Sequence, residues 1–354
     1  MTMLSLTYNH GVPVILSDIL MTSSSGSENF SLPTHLDGVK KVFDKNIIGN
    51  SPIDLNQKVY LINSKLCILL GGHLDQMYSF LKYMLAFFKD KVPSSNELSE
   101  HLKFYDVEKR NNLLAMVVLA EVESGKTKFH IKTIGSWHKE NHEIFGFIYS
   151  GGSGAKDLIK LSQNYTGGNG HTNPFNKALT QNLDFLSKFI GNECYTAESI
   201  LNKWGAGFEM IYFFNGNFKK LSEYTYIIFS GEFDFSSGLD LFPNSILKYS
   251  YKENVLYIRA ANNEREKMFF VKPIDFDNEK QKIDSSFVPD YESKDYILTY
   301  MIKLPDGRIF QPSFVILVDY QNNVRIREQN ENLLITTKEW LNYHIESEIR
   351  KLLE

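Results

Sequence analysis

Apolar and polar positions alternate along several short stretches of the chain, as they do in strands that bury one face. Residues 4–16 contain two such stretches around the turn Asn9-His10-Gly11, which predicts a hairpin close to the start of the sequence. The same pattern predicts further strands in residues 58–70, 113–122, 128–134 and 208–214, and after the turn Asn215-Gly216.

Apolar residues repeat at helical spacing between these strands. Met77, Phe80, Leu81, Met84 and Phe88 predict a helix that starts near Leu74 and buries one face. Further helices are predicted for residues 96–105, for the stretch after the turn at 150–154 up to about residue 161, and for residues 176–190. Residues 21–57 are polar and rich in serine, and are predicted to form an inserted loop.

The order of these elements predicts the architecture of residues 1–230. Strands, helices, strands, helices and strands follow one another, which suits an α+β fold, a four-layer α/β/β/α sandwich. In such a fold, two antiparallel sheets pack face to face and helices cover the outside. We therefore treat residues 1–230 as one predicted domain.

Residues 231–354 have a different pattern and are predicted to form a separate β-rich accessory domain. Short strands are expected at 255–260, 268–271, 296–302, 314–319 and 323–327. A helix should begin at about Thr337, because Thr336 and Glu339 form a capping-box pattern. An apolar stripe on this helix predicts packing within the chain; it consists of Leu341, Ile345, Ile349 and Leu352.

Composition narrows the function classes. The 354 residues are 43% hydrophobic, and 38 basic and 42 acidic side chains are interspersed to give a net charge of −4, so nucleic acid is not an expected partner. The longest apolar run, residues 113–120, is far shorter than the roughly 18 residues of a membrane span. Cys67 and Cys194 lie far apart, which favours a reducing compartment. Without a recognisable secretion signal, a cytoplasmic location is expected.

The first candidate for chemistry is Thr2, which follows Met1 directly. Threonine is small enough for the initiator methionine to be removed, and removal would create a free N-terminal threonine. Its α-amine, with a reference pKa of about 7.7–8.0, can then serve as the base for its own hydroxyl. A threonine in second place is common by chance, so the neighbouring motifs decide its significance.

Five motifs follow in order along the chain. They are Thr2-Met3-Leu4-Ser5-Leu6 with residues 10–18 ending in Asp18, Gln57-Lys58-Val59-Tyr60-Leu61-Ile62, residues 69–75 around Gly71-Gly72, residues 117–135, and Ser150-Gly151-Gly152-Ser153-Gly154-Ala155. Over residues 2–230 the sequence resembles the β subunits of the proteasome, which are N-terminal nucleophile (Ntn) hydrolases. The resemblance implies an Ntn-hydrolase sandwich for this part of the chain.

The resemblance also implies roles for individual residues. Thr2 would attack a carbonyl, Lys58 would lower the proton affinity of the amine, and Asp18 would hold Lys58 in place. The backbone N–H of Gly71 would stabilise the oxyanion, and Ser153 would orient the amine. Each residue also has an ordinary interpretation, such as a turn cap for Asp18 or a solvated strand end for Lys58.

Two features leave alternatives open. Lys40-Lys41-Val42 also resembles the family's lysine motif, but Lys58 is favoured because Gly71 follows it at nearly the family's spacing. Where the family has an Asp and a Ser in its last active-site turn, this chain has Asn202 and Gly205. This departure removes a carboxylate and a hydroxyl that would support Thr2.

The sequence therefore predicts a threonine-type protease or amidohydrolase that acts through an acyl-enzyme. It would need no cofactor and would cleave a peptide or a small amide. His138 and His142 lie in a predicted polar loop without the acidic neighbour of a zinc protease, so no metal site is expected. The resemblance implies a homo-oligomer. The alternative is a catalytically inactive relative that serves as an assembly or binding module.

Overall fold

A computed structural model of the chain describes residues 2–26, 30–37, 51–105, 112–124, 126–167, 173–196, 198–277, 281–317, 323–329 and 332–353. Within these ranges the fold is mixed α/β, with strands arranged in several sheets. The helices in the described part are α1 (Leu74–Phe88), α2 (Ser95–Phe104), α3 (Ala155–Gln163), α4 (Pro174–Thr196), α5 (Glu198–Leu201) and α6 (Glu339–Leu353). Lys40 and Lys41, the alternative lysines, lie outside the described residues.

The predicted N-terminal hairpin is confirmed and lies at the centre of a six-stranded sheet. It consists of β1 (Met3–Asn9) and β2 (Val12–Asp18), and His10 and Gly11 in the turn both have positive φ, as a tight hairpin turn requires. The other strands are β9 (Trp137–His142), β10 (Gly146–Gly152), β11 (Phe208–Phe214) and β12 (Asn217–Lys220). All pairs are antiparallel in the order β12-β11-β2-β1-β10-β9.

A second sheet has four antiparallel strands, β5 (Val59–Asn63), β6 (Leu66–Gly72), β7 (Leu113–Glu123) and β8 (Lys126–Ile134), in that order. Side chains of β6 alternate between its two faces, as a strand period of two dictates. Ile68 and Leu70 belong to a core with α1 and α2, whereas Cys67 and Leu69 pack against Leu4 of the six-stranded sheet. The two sheets therefore bury one face of each against the other.

The opposite face of the six-stranded sheet is covered by α3 and α4. Met3 and Leu16 share a hydrophobic cluster with Leu158 of α3 and Leu186 of α4. Helix α4 is also tied to β1 by polar contacts, because the Thr7 hydroxyl donates to Asn182 Oδ1 at 2.9 Å. This pairing satisfies groups that would otherwise lose water on burial.

A third sheet contains most of the remaining strands. They are β13 (Glu223–Asp234), β14 (Gly238–Lys252), β15 (Val255–Asn262), β16 (Glu266–Val271), β17 (Tyr296–Lys303), β18 (Ile309–Phe310) and β19 (Ser313–Ile316). The order is β16-β15-β14-β13-β17-β18, with β19 also on β17, and β13 pairs with β17 in parallel. Two smaller sheets have two strands each: β3 (Leu20–Ser23) pairs with β4 (Ser51–Leu55), and β20 (Val324–Gln329) pairs with β21 (Asn332–Thr337).

Two features connect the third sheet to the predicted domain of residues 1–230. The predicted boundary at residues 230/231 falls inside β13, which runs from Glu223 to Asp234. The cluster that contains Met3 and Leu186 also contains Tyr249 of β14 and Ile258 of β15. The division into two independent domains stays a prediction.

Several predicted elements differ from the structure. Strands β3 and β4 pair within the stretch predicted as an inserted loop, and His138 and His142 lie on the edge strand β9 rather than in a loop. Strand β9 was missed because it is almost entirely polar. The capping box is wrong, since Thr336 lies in β21 and its hydroxyl bonds to Arg325 O. Helix α6 begins at Glu339.

Burial of the α6 stripe within the chain is confirmed for three of its four predicted residues. Leu341, Ile345 and Ile349 are each 0% exposed, in a cluster with residues of the third sheet. Leu352 is 46% exposed and does not belong to the buried face.

Candidate active site

Topology brings the ends of four strands of the six-stranded sheet together. Because β1 is antiparallel to both β2 and β10, the residue before β1 meets the ends of those two strands: Leu4 pairs with Ser17, and Met3 pairs with Gly152. Strand β11 is antiparallel to β2, so its first residue, Phe208, pairs with Asp18 at the same end. Sequence positions far apart thus converge around Thr2.

The four-stranded sheet supplies two more groups at this end. Strands β5 and β6 are antiparallel, so the start of β5 lies beside the end of β6, and Leu70 N–H donates to Lys58 O at 2.8 Å. Lys58 immediately precedes β5, and Gly71 lies near the end of β6. All five residues predicted from sequence, Thr2, Asp18, Lys58, Gly71 and Ser153, therefore lie at one place in the fold.

The Asp18 carboxylate is the centre of this arrangement. Its Oδ1 accepts hydrogen bonds from the Thr2 hydroxyl at 2.6 Å, from Lys58 Nζ at 2.7 Å and from Met3 N–H at 2.9 Å. Its Oδ2 accepts the Gly205 N–H at 3.0 Å. Asp18 is 0% exposed, and a buried carboxylate needs such donors to offset its lost hydration.

Lys58 is 1% exposed and forms a buried ion pair with Asp18. Its ammonium also donates to Leu20 O at 2.7 Å, so two of its three N–H groups are held in fixed directions. Burial lowers the pKa of the Lys58 ammonium, and the nearby carboxylates of Asp18 and Glu209 oppose that shift. The interpretation of Lys58 as a solvated strand end is therefore wrong.

Gly71 approaches the Thr2 side chain closely. A Cβ atom at position 71 would lie 2.6 Å from Thr2 Cγ2 and 3.2 Å from Leu4 Cδ1, which is closer than side-chain atoms pack. Glycine is thus required here for space. Gly71 is buried, whereas the next residue, Gly72, is exposed, so the Thr2 side chain lies just below the surface of the molecule.

Ser153 lies on the other side of Thr2, in the turn between β10 and α3. The Thr2 backbone N–H donates to Ser153 Oγ at 3.2 Å, and Ser153 Oγ donates to Thr2 O at 3.3 Å. Gly154 N–H also donates to Thr2 O at 3.2 Å. This turn therefore fixes the position of the Thr2 backbone nitrogen, the atom that would become the α-amine.

The segment 202–207 contains Asn202 and Gly205, where the sequence differs from the proteasome β subunits that it resembles. Asn202 is exposed, and its amide donates to Asp157 Oδ2 at 3.1 Å, away from Thr2. Trp204 Nε1 donates to the same oxygen at 2.8 Å. Gly205 contributes its backbone N–H to Asp18, so part of the support expected from a side chain comes from the main chain.

Two buried glutamates near the site were missed at the sequence level. Glu209 accepts the backbone N–H of Lys58 at 2.9 Å, and Glu193 accepts the backbone N–H of Ala206 at 2.8 Å. Each is 1% exposed. The sequence marks both residues as acids at apolar positions. Glu209 is the one acidic residue in the apolar strand β11, and Glu193 continues the buried stripe of Leu186 and Ile190 on α4.

One group of side chains away from Thr2 has the geometry of a metal-binding cluster. Glu121, Glu123 and His130 on the β7–β8 hairpin have ligand atoms within 4.8 Å of one another. They lie toward the turn of the hairpin, at the opposite end of β7 from Leu113, which pairs with Gly72. Glu123 is exposed, and His130 Nε2 lies 2.8 Å from Glu121 Oε2, so two of the three side chains are already in contact with each other.

No protein family and no curated protein sequence matches this chain. Among the described residues, none of the helices is both long and apolar enough to span a membrane.

The geometry around Thr2 defines what the site can do chemically. A threonine hydroxyl and a lysine ammonium share one carboxylate oxygen, and the threonine nitrogen faces a serine hydroxyl. A hydroxyl held in this way, next to its own backbone nitrogen, is suited to nucleophilic attack once that nitrogen is a free amine.

Proposed function

We propose that this protein is a threonine-type Ntn hydrolase, a protease or amidohydrolase in which Thr2 is the nucleophile. The observation that carries the proposal is the Asp18 carboxylate, whose Oδ1 accepts from both Thr2 Oγ1 and Lys58 Nζ. Nothing in local structure requires this convergence, because Thr2 precedes β1, Asp18 ends β2, and Lys58 precedes β5 of another sheet. The face-to-face sheets with α1 and α2 on one side and α3 and α4 on the other support a four-layer α/β/β/α sandwich of the Ntn type.

Before the first turnover, hydrolysis of the Met1–Thr2 peptide bond releases methionine and frees the Thr2 α-amine. The Thr2 hydroxyl, which donates to Asp18 Oδ1 in the structure, turns its proton toward the amine. The amine, with a reference pKa of about 7.7–8.0, accepts this proton as Oγ1 forms a bond to the substrate carbonyl carbon. The C–N bond of the substrate then breaks, and the ammonium returns the proton to the leaving amine. Water hydrolyses the resulting Thr2 ester and regenerates the hydroxyl.

Neighbouring groups tune this chemistry. The Lys58 ammonium donates to the same Asp18 oxygen as the Thr2 hydroxyl. Its positive charge favours the neutral form of the Thr2 amine and stabilises the alkoxide that develops at Oγ1. The Ser153 hydroxyl holds the nitrogen, and the Gly71 N–H is the proposed oxyanion donor. The substrate is proposed to be a peptide or small amide, and the mechanism uses no cofactor. Assembly into a homo-oligomer stays a prediction.

A second candidate function is a catalytically inactive assembly or binding module with the same fold. Two observations favour it: Asn202 and Gly205 replace supporting side chains, and Thr2 is only 2% exposed. In this case the Thr2–Asp18–Lys58 group would act as a buried polar network that orders the sheets.

The proposal is tested with an electrophile that traps N-terminal threonine, such as an epoxyketone or a β-lactone. The wild-type protein should be labelled, and peptide mass spectrometry should find the adduct on a peptide that begins with Thr2. Thr2→Ala should not be labelled. Lys58→Ala should be labelled at least about a hundredfold more slowly, because the activating charge is lost.

Ser5→Ala is a matched control, since Ser5 is a buried hydroxyl of β1 outside the Thr2 contacts, and it should leave labelling unchanged. Equal labelling of Thr2→Ala and wild type, or a wild-type chain that keeps its residue before Thr2, would contradict the hydrolase proposal. Either result would favour the inactive module.

A further inference from the structure

Glu193 is a buried acid that the proposed reaction does not use. It lies near the end of α4, on the face that carries Leu186 and Ile190 into the main hydrophobic cluster, and it is 1% exposed. A carboxyl group in such a place is costly unless it is hydrogen-bonded, so its partners indicate its role.

Two of the three partners of Glu193 come from residues 199–206, the segment that contributes the Gly205 N–H to Asp18. Oε1 accepts from Ala206 N–H at 2.8 Å and from the Thr34 hydroxyl at 2.5 Å, and Oε2 accepts from the Ser199 hydroxyl at 2.5 Å. Ser199 belongs to the short helix α5, which leads into the segment that contains Gly205 and Ala206. The carboxylate thus joins α4, α5 and this segment at one point.

The segment 203–207 needs such support because its backbone is in an unfavourable conformation. Ala206 has φ of 66°, in the left-handed region that costs about 1 kcal/mol for an L-residue. Gly205 has φ of 115°, and a Cβ atom there would lie 1.8 Å from Glu193 Oε2. The Glu193 side chain therefore occupies the space that a side chain at position 205 would need. This explains why the chain has Gly205 where the resemblance implies a serine.

We propose that Glu193 is a positioning residue for the Thr2–Asp18 centre, acting through the backbone of Gly205 and Ala206. The carboxylate fixes Ala206 N–H, and this in turn aims the adjacent Gly205 N–H at Asp18 Oδ2, 3.0 Å away. Asp18 then holds the Thr2 hydroxyl and the Lys58 ammonium on its other oxygen. The inference rests on the proposed function for its effect on Thr2, while the structural link from Glu193 to Gly205 can be tested without it.

The ionisation of Glu193 gives this link a dependence on pH. Burial is the largest effect on the pKa of Glu193 and raises it, and the charge of Asp18 acts in the same direction. The three hydrogen-bond donors lower it, and the resulting pKa is about 7. The ionised carboxylate accepts all three donors, whereas the protonated form turns one oxygen into a donor and loses an acceptor. The Gly205–Asp18 contact should therefore weaken as the pH falls through about 7.

Other titratable groups around Glu193 keep one charge state near neutral pH. Burial lowers the pKa of His35 to about 4, so this side chain is neutral. Burial raises the pKa of the Cys194 thiol and of the Tyr249 hydroxyl, with Glu193 adding to both shifts, so these groups are neutral as well. Of these four described side chains, Glu193 is the one with a pKa near 7. A free Thr2 amine in the adjacent site would also titrate close to this pH.

The test uses the full chain with ¹⁵N-labelled glycine and follows the Gly205 amide resonance between about pH 5.5 and pH 8.5, on either side of the Glu193 pKa of about 7. In the wild type the Gly205 shift should inflect near that pKa. In Glu193→Gln, which keeps an acceptor for Ala206 N–H but cannot ionise, the inflection at the Glu193 pKa should disappear, and any separate inflection from a free Thr2 amine should be the same in both proteins. Glu198→Gln, at an exposed acid of α5, is the matched control and should keep it.

Labelling of Thr2 by the β-lactone provides the second readout. Glu193→Ala removes the acceptor and should slow labelling by at least about tenfold, because misplaced reacting groups lose catalytic power steeply. Glu193→Gln should restore labelling above pH 7 to near the wild-type rate. An ordinary packing role predicts instead that the neutral glutamine leaves the Gly205 inflection in place.

The outcomes separate the two proposals. A Gly205 amide that does not titrate in the wild type, or Glu193→Ala that labels at the wild-type rate, overturns the positioning role. Wild-type protein that titrates as expected but is never labelled overturns the hydrolase function and leaves the link from Glu193 to Gly205 standing.

Discussion

At the scale of single residues, the site depends on buried polar atoms that satisfy one another. Asp18 accepts four hydrogen bonds, and these include a charged donor, Lys58, which is itself 1% exposed. Removing one member of a buried ion pair leaves the other charged and unpaired, which is far more costly than losing a surface pair. Removal of Asp18 or Lys58 alone should therefore destabilise the fold as well as the proposed chemistry.

Gly71→Ala tests the close approach to Thr2. The added methyl group would lie 2.6 Å from Thr2 Cγ2, so the Thr2 side chain must move. We expect labelling of Thr2 to fall by at least about tenfold, and the free energy of unfolding, measured in urea, to fall by about 1–3 kcal/mol. Gly191→Ala is the matched control, because a methyl group there would lie 2.5 Å from Gln311 Nε2, away from the site.

If Gly191→Ala and Gly71→Ala slow the labelling equally, the effect of Gly71→Ala is general destabilisation rather than displacement of Thr2.

At the scale of elements, the segment before β5 is attached to the third sheet. Gln57 N–H donates to Lys272 O at 2.9 Å, and Gln57 Nε2 donates to Val271 O at 3.0 Å. Glu209 on β11 accepts a hydrogen bond from the Lys58 N–H. It also accepts one from the hydroxyl of Tyr251, a residue of β14, at an oxygen–oxygen distance of 2.5 Å. Lys58 is therefore positioned by groups from all three large sheets, which gives the C-terminal strands a structural part in the site.

Tyr251→Phe tests this attachment. The variant leaves the Glu209 carboxylate without one donor, so the free energy of unfolding should fall by about 2 kcal/mol, a typical loss for a hydrogen bond to a charged group. Labelling of Thr2 should slow as well, because Glu209 holds the Lys58 backbone.

Tyr257→Phe is the comparison, since its hydroxyl accepts Asp284 N–H at 3.0 Å on the same sheet, away from Lys58. It should destabilise the protein without slowing the labelling. Unchanged labelling in Tyr251→Phe would show that β14 does not influence Lys58.

At the scale of the whole molecule, the six-stranded and third sheets share one hydrophobic cluster. Helix α4 packs against β2 on one side and against β17 and β19 on another, so apolar residues of both parts are buried by the same helix. A fragment that lacked the third sheet would expose much of this surface, and exposed apolar area of this kind drives aggregation.

A chain that ends at residue 230 should therefore be insoluble or lack a cooperative thermal transition, as measured by circular dichroism and size-exclusion chromatography. A chain that ends at residue 337 removes only α6, whose buried residues belong to a different cluster, and should stay folded with lower stability. A soluble fragment of residues 1–230 that unfolds cooperatively would instead support two independent domains.

Local sequence patterns predicted much of the secondary structure. The alternation around His10-Gly11 and Asn215-Gly216, and the helical repeat of residues 74–88, needed no tertiary information, because strand and helix periods are local properties. Polar strand β9 was missed because none of its side chains is buried, so no apolar pattern marks it. The pairing of β3 with β4 was missed because it joins residues far apart in the sequence, such as Leu20 and Leu55.

The sequence by itself determined which residues are chemically suited to the proposed site, because the motifs alone predict Thr2, Asp18, Lys58, Gly71 and Ser153. Only the tertiary structure decided that Lys58 is buried on Asp18, that Gly205 supplies a backbone donor, and that Glu193 and Glu209 hold these groups in place. The physical reason is that these contacts join residues far apart in the chain, and the burial that gives them their strength arises only when the sheets pack.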